Sequence, residues 1–156
     1  MNKQSKNKPP TTILDGRPPA RMGALLISLL TILLSACDVP PLSVSDAKIR
    51  ALLPARDTTA GYFQLNNNTD ASITLTGASS KLARAIEMHE TIQRGDSVGM
   101  RRVKKVTINP GEHVLFEPGG MHLMIFGVSR VADDFPITLL FDNGEQLQVS
   151  FSKLNY

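Results

Sequence analysis

Short apolar runs recur between turn signals for most of this chain, and that rhythm leaves little room for anything but an all-β fold. Tyr62 to Asn66 runs into Asn67-Asn68-Thr69-Asp70, and Ser72 to Thr76 alternates with Ile73 and Leu75 on one face. Ala83 to His89 leads to a turn region at Gly95-Asp96, and Met100 to Ile108 stops at Asn109-Pro110-Gly111. His113 to Glu117 ends at Pro118-Gly119-Gly120, and Met121 to Val128 follows. Ile137 to Phe141 meets Asp142-Asn143-Gly144, a hairpin signal because Asn and Gly tolerate the positive φ that tight hairpin turns need. Gln146 to Phe151 closes the series, with Leu147, Val149 and Phe151 on one face. Alternation of this kind is the strand's two-residue period. Past the first 36 residues no stretch keeps the helical period of about 3.6 over ten residues. With a first strand around Ser43 to Leu52, seven or eight short strands suggest a sandwich or small barrel.

The N-terminal segment is of another kind. Residues 1 to 21 are polar and basic, and Pro9, Pro10, Pro18 and Pro19 oppose a helix there. Ala24 to Leu34 is an uncharged apolar run of eleven residues. As a helix it measures roughly 16 Å, about half the ~30 Å of a hydrocarbon core, which suits a signal peptide and not a membrane span. It ends in Leu34-Ser35-Ala36-Cys37, and small residues before a Cys resemble the bacterial lipobox, in which the Cys is acylated and becomes the first mature residue. The expected organisation is a lipoprotein signal peptide over 1–36, the lipidated Cys37 and a tether through Pro40 and Pro41 over 37–42, and one domain over 43–156. Asp38 resembles the inner-membrane retention signal of enteric-type sorting, which favours a periplasmic domain anchored to the inner membrane.

Charge follows the same division. Five of the 17 basic residues and one of the 14 acidic ones precede Cys37, which leaves twelve basic against thirteen acidic in the domain. The basicity therefore belongs to the leader, and no nucleic-acid partner is expected. A single Cys excludes an intramolecular disulfide, a Cys-based zinc site and an iron–sulfur cluster. No Ser/His/Asp arrangement, phosphate-binding Gly loop or carboxylate pair stands in a plausible context, so an enzyme is not expected. A blue-copper carrier needs a Cys thiolate on the metal, and Cys37 is remote in sequence from every other candidate ligand.

The sulfurs and imidazoles are unevenly placed. Beyond the leader the Met residues are Met88, Met100, Met121 and Met124, and His89 and His122 share their stretch. On the strand from Met121, alternation sends His122 and Met124 to one face and Met121, Leu123 and Ile125 to the other. Residues two apart on one face lie ~6.5–7 Å apart, close enough for a nitrogen and a sulfur to meet on one ion. If the strands ending at His89 and starting at Met100 form a hairpin, both residues lie near its loop end. Two thioethers and two imidazoles, with no carboxylate, make a soft set that favours Cu(I) over Zn, Mg or Ca. Met88 and Met121 alternate away from their neighbouring His and read as core. His113 follows a turn and reads as a surface residue. Phe116 and Phe126 read as core or rim aromatics. Arg101-Arg102-Val103-Lys104-Lys105 reads as a solvated face beside the site, or as a surface that steers an acidic partner.

The spacing is His89, ten residues, Met100, twenty-one residues, His122, one residue, Met124. It resembles the copper-binding motif of the PCuAC family of periplasmic copper chaperones. Thr59-Ala60-Gly61-Tyr62-Phe63, Gly77-Ala78-Ser79-Ser80, Glu87-Met88-His89-Glu90, Asn109-Pro110-Gly111 and Pro118-Gly119-Gly120-Met121-His122-Leu123-Met124 fall in family order, and the resemblance runs from about Val44 to Ser152. The departures are Val98 and Gly99, where an extra Met is frequent, Phe126, where another is, and Arg102, where Pro is. The resemblance implies a cupredoxin-like Greek-key β-barrel with one exposed Cu(I) site at His89, Met100, His122 and Met124. It also implies delivery of copper to the binuclear copper centre of cytochrome c oxidase, directly or through another copper chaperone. Copper storage or resistance, and a structural β-sandwich lipoprotein whose Met residues are merely buried, are the alternatives.

Overall fold

In the computed structural model, which describes residues 39–154, the chain is all β. Cys37 and the leader lie outside the described residues. The ten strands are β1 (Leu42–Arg50), β2 (Thr58–Asn67), β3 (Ile73–Ser79), β4 (Ala85–Arg94), β5 (Ser97–Val103), β6 (Val106–Ile108), β7 (His113–Phe116), β8 (Met121–Phe126), β9 (Asp134–Phe141) and β10 (Gln146–Leu154).

Pairing runs β4-β8-β2-β1-β10-β9-β3 and returns to β4 through Ala78 opposite Ile86, which closes the sheet on itself. Only β1 and β10 pair in parallel, first strand against last; the other ladders are antiparallel. Closure leaves these strands no free edge. Outside the ring, β5 continues outward from β4 and β6 from β3, and β7 pairs with β2.

Alternation fills the interior. Every second residue of β2 from Thr59 to Asn67 is buried, with Phe63 and Leu65 among them, and Phe135, Ile137 and Leu139 line up likewise on β9. Phe63 stacks on Phe116 with ring centroids 4.3 Å apart and meets the ring of Phe151 edge-on at 5.7 Å. Gly61 lies close under these side chains: a Cβ there would stand 3.3 Å from Ile125 Cδ1 and 3.4 Å from the Phe151 ring. Each fully buried aliphatic or aromatic side chain contributes about 1.5–3 kcal/mol relative to exposure.

Strand existence matches the sequence reading, while several boundaries do not. The count is ten, above the expected seven or eight. β4 does not stop at His89 but runs on to Arg94, because β5 pairs with it as far as Arg94 opposite Ser97. The turn between them has Gly95 at φ 59° and Asp96 at negative φ, the pattern of a two-residue II′ hairpin. Met100 to Ile108 is not one strand. β5 pairs with β4 and β6 with β3, and the chain changes neighbours across Lys104 and Lys105.

Candidate metal centre

β4 and β8 pair antiparallel with Glu87 opposite Met124, Met88 opposite Leu123 and His89 opposite His122. Met88 and Leu123 point into the core, 3% and 0% exposed, so their neighbours Glu87, His89, His122 and Met124 share the outer face. Met121 packs against the core from the same side as Leu123, as its alternation from His122 requires.

The two imidazoles form a direct cross-strand pair with ring centroids 6.2 Å apart and planes 53° apart. With a metal–imidazole bond of ~2.0 Å and a ring nitrogen ~1.1 Å from its centroid, two rings on one ion have centroids at most about 6.2 Å apart. The pair thus stands at the outer limit of a two-nitrogen site before any side chain moves. His122 is almost wholly buried, and its Nδ1 lies 3.0 Å from the Gly120 carbonyl oxygen. A carbonyl only accepts, so Nδ1–H donates and the lone pair of the neutral ring is on Nε2. His89 Nε2 lies 3.0 Å from Glu87 Oε2, while its Nδ1 is buried without a hydrogen-bond partner. The ring of Phe126 flanks His89 at 6.5 Å, a rim aromatic, whereas Phe116 is in the core.

Met124 sits two residues from His122 on the same face, diagonal to His89. Met100 is also diagonal to His89, from the other side: on β5, Arg102 stands opposite His89 and Met100 opposite Thr91. Diagonal neighbours are ~7–8 Å apart, which leaves the two Met backbones about 15 Å from each other across the pair. Met100 is 58% exposed on the edge strand. The structure therefore places His89, His122 and Met124 on one face and keeps Met100 at the rim. Both His89 and Met100 lie along the body of the hairpin and not at its loop end, because the ladder continues beyond them to Arg94 and Ser97. His113 is an exposed residue of β7, outside this face.

One residue to which the sequence pattern assigned no role belongs here. Glu87 bonds His89 with one oxygen, and with the other it meets Arg102 Nη1 at 3.1 Å. The signal was present, since Glu87 precedes His89 by two on one strand and must share its face. Arg101 reaches Glu90 at 2.6 Å, so part of the basic run is paired to β4 and not simply solvated. Among the described residues no three His, Cys, Asp or Glu side chains are grouped to hold a metal ion, so a site here depends on the thioethers.

Comparison with known proteins agrees with this architecture. The family model described as "Putative lipoprotein LpqE-like" matches residues 42–152. RP573 of Rickettsia prowazekii is 32% identical over 103 residues, 62% of this chain and 55% of its own length. The chain spans little more than half the length of the curated relatives it matches. Among solved structures, the copper-bound PCuAC domain from PmoF2 superposes with a TM-score of 0.63 at 19% identity, over 76% of this chain and 96% of that one. The Cu(I) form of DR1885 from Deinococcus radiodurans superposes with a TM-score of 0.56 at 28% identity, over 77% of this chain and 80% of its own. The barrel is thus the cupredoxin-like fold of PCuAC domains.

Proposed function

The chain belongs to the LpqE-like family, and we propose that it is an extracytoplasmic copper chaperone that holds one Cu(I) between β4 and β8. The observation that carries this reading is the cross-strand pair of His89 and His122, with Met124 beside it on the same face. The copper-bound state of the structural neighbours supports it. Imidazole nitrogen and thioether sulfur are ligands suited to Cu(I), and thioethers do not oxidise to disulfides outside the cytoplasm. Met100 completes the set when the β5 edge brings its exposed sulfur inward.

A neutral ligand set leaves the charge of Cu(I) uncompensated, which favours a site near the surface. There an acceptor's ligands replace the protein's own one at a time, beginning with the exposed Met100. This is the behaviour of a carrier and not of a redox centre. Cu(I) titration with X-ray absorption tests the reading: one copper per chain with both nitrogen and sulfur scatterers is expected. A first shell of nitrogen and oxygen alone overturns the ligand set.

Anchoring through Cys37 is part of the same proposal, and the family's lipoprotein description supports it. A lipid on Cys37 followed by a short tether raises the domain's effective concentration beside membrane enzymes. Cytochrome c oxidase is the acceptor we propose. Cys37→Ser is expected to abolish acylation in mass spectra of the mature protein. In cells at limiting copper it should lower oxidase activity, with recovery on copper addition. Normal oxidase activity at every copper level, joined to copper sensitivity, points instead to storage or resistance.

A further inference from the structure

We infer that Glu87 is the positioning residue of this site: it fixes the tautomer of His89 so that copper is bound through Nδ1 of His89 and Nε2 of His122. The inference rests on the proposed function and adds to it the ligating atoms and the residue that selects them.

The argument begins with an orphan. His89 Nδ1 is buried and has no hydrogen-bond partner. Buried polar atoms are nearly always satisfied, and one that is not calls for an explanation, a missing ion among them. The other ring nitrogen explains which kind. Nε2 stands 3.0 Å from Glu87 Oε2. An ionised carboxylate only accepts, so Nε2 carries the hydrogen and the neutral ring keeps its lone pair on Nδ1. Glu87 is itself held on its far oxygen by Arg102 at 3.1 Å, from the strand on the other side of β4. Arg102 thereby fixes the carboxylate and leaves its remaining oxygen facing the imidazole.

His122 shows the complementary arrangement. Its Nδ1–H donates to the Gly120 carbonyl at 3.0 Å, which leaves Nε2 as the lone-pair atom. Each imidazole thus has one nitrogen committed to an acceptor and one free, in opposite senses. A metal-bound histidine typically donates its second N–H to a carboxylate or a carbonyl, and here one ring uses each kind. The competing arrangement has copper on His89 Nε2, with Glu87 as a latch that must first leave. It would break the Glu87 contact and still leave Nδ1 buried and unsatisfied.

Long-range 1H–15N spectra of the labelled full chain in detergent micelles, metal-free and with one equivalent of Cu(I), separate the two. In the metal-free wild type, His89 is expected to show a protonated Nε2 and an unprotonated Nδ1, and Cu(I) should shift Nδ1 while Nε2 keeps its proton. Glu87→Gln, whose amide can also donate to a ring nitrogen, should populate the other tautomer and weaken Cu(I) binding about 10–100-fold. A coordination shift at Nε2 of the wild type, or a Glu87→Gln protein with unchanged tautomer and affinity, overturns the inference. A wild type that takes up no Cu(I) counts against the proposed function alone. The metal-free spectra of wild type and variant still decide whether Glu87 sets the tautomer.

Discussion

Replacing His122 by Ala is expected to lower Cu(I) affinity by at least two orders of magnitude while leaving a folded barrel. The affinity loss should be that large because even a partner outside the coordination shell typically costs 10–100-fold, and His122 is proposed as a direct ligand. The barrel should survive because the hydrogen bond that is lost strands nothing. The Gly120 carbonyl that accepts from His122 also accepts from the Thr91 backbone N–H at 3.1 Å. The remaining cost is a small void on the outer face, about 1 kcal/mol and typical of point changes. His122→Ala combined with Met124→Ala should abolish stoichiometric binding, and His113→Ala, on exposed β7, should leave it unchanged. Competition titration against a Cu(I) chelator, run beside thermal unfolding, reads both quantities. Near-wild-type affinity in the His122→Ala protein would remove the cross-strand pair from the mechanism.

The faces of this site were legible in the sequence, while its partners were not. Alternation alone sets His122 and Met124 opposite Leu123 and Ile125, and the burial of Leu123 and Ile125 agrees. It also sets His89 opposite Met88, and Met88 is in the core. What alternation cannot supply is register between distant strands. That Glu87 stands opposite Met124 and His89 opposite His122 follows from the β4–β8 ladder, a pairing of strands distant in sequence that local pattern does not encode. Boundaries failed for a related reason. β4 passes His89 because β5 is there to pair with it, and β5 ends at Val103 because the following residues turn to pair with β3. Gly95 marks the true end of β4, whereas no Gly or Pro marks the end of β5 at Val103. Glu87 is no soft ligand and so stands outside the pattern of thioethers and imidazoles, although the same two-residue step that joins His122 to Met124 joins Glu87 to His89.

Asn67 was hidden by its surroundings as well: in Asn66-Asn67-Asn68-Thr69-Asp70 it reads as one more turn residue, yet it is wholly buried. Asn67→Leu, which has the same branched shape and number of side-chain heavy atoms, is expected to destabilise the domain by about 3–5 kcal/mol, a large share of the 5–15 kcal/mol typical of a folded domain. The Asn67 Nδ2 group donates to the carbonyls of Ile108 at 3.0 Å and Ala71 at 2.8 Å. Its Oδ1 accepts from the Thr69 backbone N–H at 3.0 Å and lies 2.7 Å from the Thr69 hydroxyl. Water can reach the exposed Ala71 segment after the change, but the Ile108 residue is buried and its carbonyl would lose this donor. A buried group left unpaired costs about 1–3 kcal/mol, and the other bonds are worth about 0.5–1.5 kcal/mol each. At this domain size a loss of about 3–5 kcal/mol corresponds to a fall in Tm on the order of 12–20 °C. Asn67→Asp separates hydrogen bonding from shape. It preserves the acceptor but turns a carboxylate oxygen toward the two carbonyls that need a donor, so it should be at least as damaging as Leu. Since Asn67 ties the end of β2 to β6, and β6 is where the chain settles after β5, its loss should loosen the frame without touching a ligand. Below the lowered Tm, Cu(I) affinity should therefore match the wild type. An Asn67→Asp protein of wild-type Tm would mean that Asn67 merely fills space.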